Sequence, residues 1–94
     1  MLVIVKTLLY LAEALGGREL ELHVAEGTRL DQLLTEVAAR AGPGVSTIVD
    51  ADGSLHAHIR VSVNGRPLNL LEYGADTVLS EGDEVLLMPP AGGG

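Results

Sequence analysis

The two ends of the chain carry its most apolar strand-like runs, Leu2-Val3-Ile4-Val5 and Val85-Leu86-Leu87-Met88. This constrains the fold more than any other feature. Residues 2–8 are mostly aliphatic and β-branched, and read as a strand buried on both faces. Glu84 to Met88 reads as the last strand, which Pro89-Pro90 ends because neither proline can donate a ladder hydrogen bond. Two such strands belong side by side at the centre of one sheet.

The segments between them decide what covers that sheet. Leu9 to Leu15 contains Ala12, Glu13 and Ala14, which favour a short helix, and Gly16-Gly17 supplies a stop with positive φ available. Glu19-Leu20-Glu21-Leu22-His23-Val24 alternates polar and apolar, so it reads as a half-buried strand with Leu20, Leu22 and Val24 inward. Glu26-Gly27 turns the chain. Thr28 is placed to N-cap the main helix, with Asp31 three residues on. Leu30, Leu33, Leu34, Val37, Ala38 and Ala41 then form one continuous apolar stripe. Gly42-Pro43-Gly44 ends it.

Residues 45–55, with Asp50-Ala51-Asp52-Gly53, read as a connection. His58 to Val63 reads as a strand with Ile59, Val61 and Val63 on one face. Asn64-Gly65 is a type I′ hairpin signal, with the return strand beginning at Pro67-Leu68. Residues 71–80 read as irregular with a turn at Tyr73-Gly74, and Glu81-Gly82-Asp83 as a further turn. The order is strand, short helix, strand, long helix, hairpin, last strand. It predicts an α+β β-grasp (ubiquitin-like) roll, a mixed sheet covered by one main helix. The domain spans 1–88, followed by a flexible glycine tail at 89–94.

Composition narrows function. The 94 residues suffice for one domain and one core. With no Phe or Trp, and only Tyr10 and Tyr73 as aromatics, that core is aliphatic. The absence of cysteine excludes disulfides, thiolate metal sites and a cysteine nucleophile. A net charge of −7 disfavours direct nucleic-acid binding and suits a basic protein partner. The N-terminal apolar run is too short for a signal sequence, and no segment has the roughly 20 apolar residues of a membrane helix. A cytoplasmic protein with no membrane association is expected.

The last residues, Pro89-Pro90-Ala91-Gly92-Gly93-Gly94, combine two stiff prolines with three glycines. Six extended residues span about 20 Å, and glycine lets a backbone pass a narrow channel without side-chain clash. The chemistry available is that of the α-carboxylate, ionised at neutral pH and a poor acyl donor. Attack on the α-phosphate of ATP would activate it as an acyl-adenylate. A sulfur nucleophile would then yield a thiocarboxylate, and a lysine amine an isopeptide bond. The chain has no phosphate-binding loop of its own, so the ATP site belongs to a partner and no cofactor is expected on this protein.

Asn64-Gly65-Arg66, Glu81-Gly82-Asp83-Glu84-Val85 and Pro89-Pro90-Ala91-Gly92-Gly93 together resemble the MoaD/ThiS family of sulfur carriers. The resemblance covers nearly the whole chain, including Leu8 to Gly16 and Glu26-Gly27-Thr28 with the helix that follows. The Asp50-Ala51-Asp52-Gly53 connection is similar to that of the longer members. The resemblance implies a β-grasp fold and adenylation of Gly94, with Gly93 as its neighbour in the di-glycine motif, by an adenylyltransferase of the ubiquitin-activating type. It also implies a thiocarboxylate on Gly94 that passes sulfur to an accepting enzyme, such as a molybdopterin synthase large subunit. Cysteine, thiamine or tRNA thiolation and conjugation to lysines are the alternatives, and an interaction domain with an inert tail is the third. The family usually ends in two glycines where this chain has three, and Leu8 and Met88 stand where aromatics are common.

Other candidates carry less. His56 and His58 could share a strand face, but no third ligand is evident, so no metal site is expected. Asp50 and Asp52 read as turn formers; Asp83 completes a possible acidic set. Arg66 reads as a solvated surface arginine. No Ser–His–Asp arrangement has a usable spacing. The apolar excess suggests an exposed patch, with Leu70, Leu71 and Leu87 as candidates.

Overall fold

Strand β1 (Leu2–Thr7) and strand β5 (Glu84–Met88) pair in parallel in the computed structural model, with Val5 beside Val85 and Thr7 beside Leu87. The structure describes residues 1–8, 10–40 and 59–88. The sequence readings at Gly42-Pro43-Gly44, at 45–55, at His56 and His58, and at 89–94 lie outside the described residues.

Helix α1 (Tyr10–Leu15) follows β1, and strand β2 (Glu19–His23) returns antiparallel to it. Gly16, at φ +85°, takes the left-handed conformation that stops α1. Helix α2 spans Leu30–Ala39, and strands β3 (Arg60–Val63) and β4 (Arg66–Pro67) form a hairpin. Asn64 at φ +51° and Gly65 at φ +84° both adopt positive φ, as the predicted type I′ turn requires. Short 3₁₀ turns at Leu68–Leu70 and Gly74–Asp76 lead back to β5. The strands form one mixed sheet in the order β2-β1-β5-β3-β4. The terminal strands are therefore adjacent and interior, and the architecture is the expected ubiquitin-like β-grasp.

The core lies between the sheet and α2. Leu30, Leu33 and Val37 of the helix are fully buried, as are Val3, Val5, Val85 and Leu87 of the sheet. Each such side chain contributes about 1.5–3 kcal/mol through area removed from water. Ile59, Val61 and Val63 share the same face of β3, as their spacing predicts.

Four local expectations change. The return strand of the hairpin is Arg66–Pro67, and Leu68, expected within it, already starts a 3₁₀ turn. Strand β1 is buried on one face only: Val3, Val5 and Thr7 face the core, while Leu2, Ile4 and Lys6 are half-buried. Among the described residues one helical layer covers one face of the sheet, so alternate residues stay open. Thr28 is not the N-cap of α2; its hydroxyl donates to the Ala25 carbonyl at 2.6 Å. Arg29 holds the N-cap position, its N–H donating to Gln32 Oε1 at 2.9 Å, and Asp31 Oδ1 accepts from the Gln32 N–H at 2.8 Å. Main-chain bonds from Leu30 to Thr77 and from Leu79 to Thr28 then tie this helix start to residues 77–79. Finally, Leu87 belongs to the core and not to a surface patch; Leu70 is exposed and Leu71 half-buried.

Candidate functional site

The candidate site is built outward from β5, because β5 carries the chain to the glycine tail. Gly93 and Gly94 lie outside the described residues, so the structure speaks to the root of the tail. That root is held on both sides. β5 pairs with β1 from Glu84 to Leu87, and with β3 from Val85 to Met88. Val85 and Leu87 anchor it from below with no solvent exposure.

The turn entering β5 is fixed by side chains as well. Asn64 Nδ2 donates to Asp83 Oδ1 at 2.9 Å, and the Glu84 N–H donates to Asn64 Oδ1 at 2.9 Å. The Ser80 N–H donates to Asp83 Oδ2 at 2.7 Å. Gly82, at φ +81°, donates its N–H to the Leu2 carbonyl at 2.8 Å. The Leu2 N–H in turn donates to the Glu81 carboxylate at 3.2 Å. The Asn64-Gly65 and Glu81–Glu84 motifs, read separately in the sequence, are thus one contact that locks the hairpin to β5. Asp83 is consumed in this lock, so it is a structural carboxylate. Asp50 and Asp52 are outside the described residues, and Arg66 is exposed.

The open face of the sheet borders the same root. Register aligns Glu21, Ile4 and Glu84 in one row, and Glu19, Lys6, Leu86 and Ser62 in the next. Met88 lies opposite Arg60 beyond that, and Leu8, which follows β1 directly, is exposed. Ile4, Leu86 and Met88 are half-buried, giving an apolar strip within a charged surround. Lys6 forms an ion pair with Glu84 inside it. The hydrogen bond that Lys6 donates to the Glu84 carboxylate, and then the charge of Glu84, hold the Lys6 ammonium above its ordinary pKa. The sequence reading missed this strip. The signal was the period of two: residues 4, 6 and 8 share a face, as do 84, 86 and 88.

Among the described residues no group of three or more His, Asp or Glu side chains could hold a metal ion. None of the described helices is long and apolar enough to cross a membrane. What the arrangement offers is a last strand held on both sides, beside an open face of mixed apolar and charged character. That defines a small ubiquitin-like β-grasp protein.

The chain belongs to the ThiS family, whose model matches residues 8–94. A relative from Archaeoglobus fulgidus, assigned by its name to the sulfur carriers, is 34% identical over 70 residues, covering 74% of this chain and 78% of its own. The crystal structure of SAMP1 from Haloferax volcanii superposes with a TM-score of 0.83 at 26% identity, covering 100% of both chains. A Pyrococcus furiosus structure named for molybdopterin converting factor subunit 1 superposes with a TM-score of 0.75 at 28% identity, covering 97% of this chain and 99% of that one. Sulfur carriers and ubiquitin-like modifiers are therefore the class to which this protein is related.

Proposed function

We propose that the protein is a cytoplasmic sulfur carrier whose Gly94 carboxylate is adenylated by a ubiquitin-activating-type enzyme and converted to a thiocarboxylate. The carboxylate oxygen attacks the α-phosphate of ATP and pyrophosphate leaves. A sulfur nucleophile then displaces AMP from the acyl-adenylate. ATP binds the activating enzyme; this chain is the substrate and brings no cofactor. A molybdopterin synthase large subunit is the proposed acceptor, on the model of the P. furiosus neighbour.

The observation that carries this reading is that the ThiS match runs through the last residues of the sequence, so Gly93 and Gly94 fall within the family pattern. The open face supports it. Ile4, Leu86 and Met88, with Glu19 and Glu21 along their β2 side and Glu84 already paired with Lys6, suit docking on a partly apolar surface of the activating enzyme with basic residues facing β2, while Gly94 enters its ATP site.

The test is intact-mass analysis after incubation with host lysate, ATP and a sulfur donor. Replacement of one oxygen by sulfur, lost when Gly93-Gly94 is deleted, supports the carrier. A second reading rests on the full-length likeness to SAMP1, a small archaeal modifier protein: Gly94 would be joined to lysines. Ladders of conjugates without a thiocarboxylate would replace the first reading with this one.

A further inference from the structure

The two edges of the sheet are built differently. β4 is two residues long and one of them is Pro67, which has no N–H to offer. β2 is five residues long, holds no proline, and pairs residue for residue with β1 from Leu2 opposite His23 to Lys6 opposite Glu19. The phase of that ladder fixes which groups point outward. The Thr7 N–H donates to the Arg18 carbonyl at 2.8 Å, and the Val24 N–H to the Met1 carbonyl at 2.9 Å. Antiparallel alternation therefore turns the main chain of Leu20 and Leu22 toward β1, and that of Glu19, Glu21 and His23 away from it. Among the described residues these three have no main-chain partner.

The side chains along the edge specify what would fit. Glu19, Glu21 and His23 are exposed on the open face, so Glu19 and Glu21 flank the outward Glu21 N–H, and Glu21 and His23 its carbonyl. On the other face, Leu20 and Val24 are half-buried against the rim of the core. A second copy of this chain is a poor occupant. Antiparallel pairing of two β2 strands centred on Glu21 sets Glu21 against its own copy, and each chain carries a charge of −7.

We propose that the β2 edge receives, as an added strand, an extended segment of a partner protein in which basic residues alternate with apolar ones. The basic residues stand opposite Glu19 and Glu21 and exchange main-chain hydrogen bonds with them. The intervening apolar residues extend the cover over Leu20 and Val24. This inference is independent of the chemistry at Gly94, and its test does not involve the tail.

The test is an amide NMR titration of the full chain with a blocked heptapeptide of alternating lysine and valine. Shifts concentrated at Glu19, Glu21 and His23 are expected. A peptide N-methylated at its lysine nitrogens keeps every charge but cannot donate along that edge, and should bind at least about tenfold more weakly. Equal binding of the two peptides would mean attraction of charge alone and would overturn the proposal, as would shifts centred elsewhere or no binding. The double variant E19K/E21K retains the strand edge and should lose the lysine peptide. Glu21→Pro removes an outward N–H without touching the ladder to β1, and should weaken binding more than Glu21→Gln. If the proline variant does not fold, the N-methylated peptide still decides the matter.

Discussion

Val85 and Leu86 are neighbours in β5 and live in different surroundings. Val85 is fully buried beneath α2, whereas Leu86 lies half-buried on the open face beside Lys6 and Ser62. The same division runs through β1, where Val5 faces the core and Ile4 does not. One set of residues holds the sheet together, and the interleaved set is available for contact. A single strand thus carries a core face and an open face, and substitutions one position apart should separate stability from the proposed recognition.

The largest expected effect is on the core side. Leu87→Ala leaves a cavity under the centre of the sheet and should cost about 2–5 kcal/mol in denaturant unfolding. Leu86→Ala, one residue earlier, should cost about 1 kcal/mol or less by the same measurement. If the two lose equal stability, the division between the faces fails. Next comes the lock on the tail root. Asn64→Gly keeps positive φ available but removes the side-chain bonds to Asp83 and Glu84, and should cost about 1–2 kcal/mol. Asn64→Ala should cost roughly 1 kcal/mol more, because alanine must occupy the left-handed region.

On the side of the proposed recognition, Leu86→Ser should reduce the yield of thiocarboxylate several-fold, with a fall in melting temperature of about 4–8 °C, well short of that for Leu87→Ala. Leu70→Ser, exposed but on the 3₁₀ turn after β4, should leave the yield unchanged. Equal losses would remove the open face as the docking surface.

The smallest effects concern charge. The hydrogen bond from Arg29 holds the Asp31 carboxyl below its ordinary 3.8, with the Gln32 N–H also lowering it. A lowered folded-state pKa gives stability that is present above the ordinary value and lost as pH falls through the folded one. Asp31→Asn should therefore flatten the acid limb of the stability–pH profile, slightly, since the pair is exposed. Lys6 has the opposite sign. Its raised pKa gives a contribution that is complete below 10.5 and lost as pH climbs through the folded value. Lys6→Met should flatten the alkaline limb, and salt should diminish both effects.

Much of this was legible in the sequence. The α2 stripe from Leu30 to Ala38 and the alternation of Ile59, Val61 and Val63 specify their own burial. The Asn64-Gly65 turn is written in residues that tolerate positive φ. Leu2 to Val5 was ambiguous, because an unbroken apolar run carries no parity; only the position of α2 on one side makes Ile4 an open-face residue. The same ambiguity placed Leu87 on the surface, when the strip uses Leu86 and Met88. The cap at Arg29 was hidden because Gln32 and Asp31, not Thr28, satisfy the first amides. The glycine tail was visible as a motif, while the contact that joins the two motifs upstream of it spans Asn64 to Asp83 and needed the fold.

The parallel pairing of β1 and β5 has a practical consequence. Val5 lies beside Val85, so Met1 and Met88 sit about seven strand steps apart, roughly 23 Å at about 3.3 Å per residue. Met1 donates from its ammonium to the Val24 carbonyl at 2.6 Å, a bond that an ordinary amide could also make. An affinity tag, dye or fused reporter attached ahead of Met1 would thus leave from the far end of the sheet, clear of Met88 at the root of the tail. A group added after Gly94 would block the carboxylate that the proposed chemistry requires.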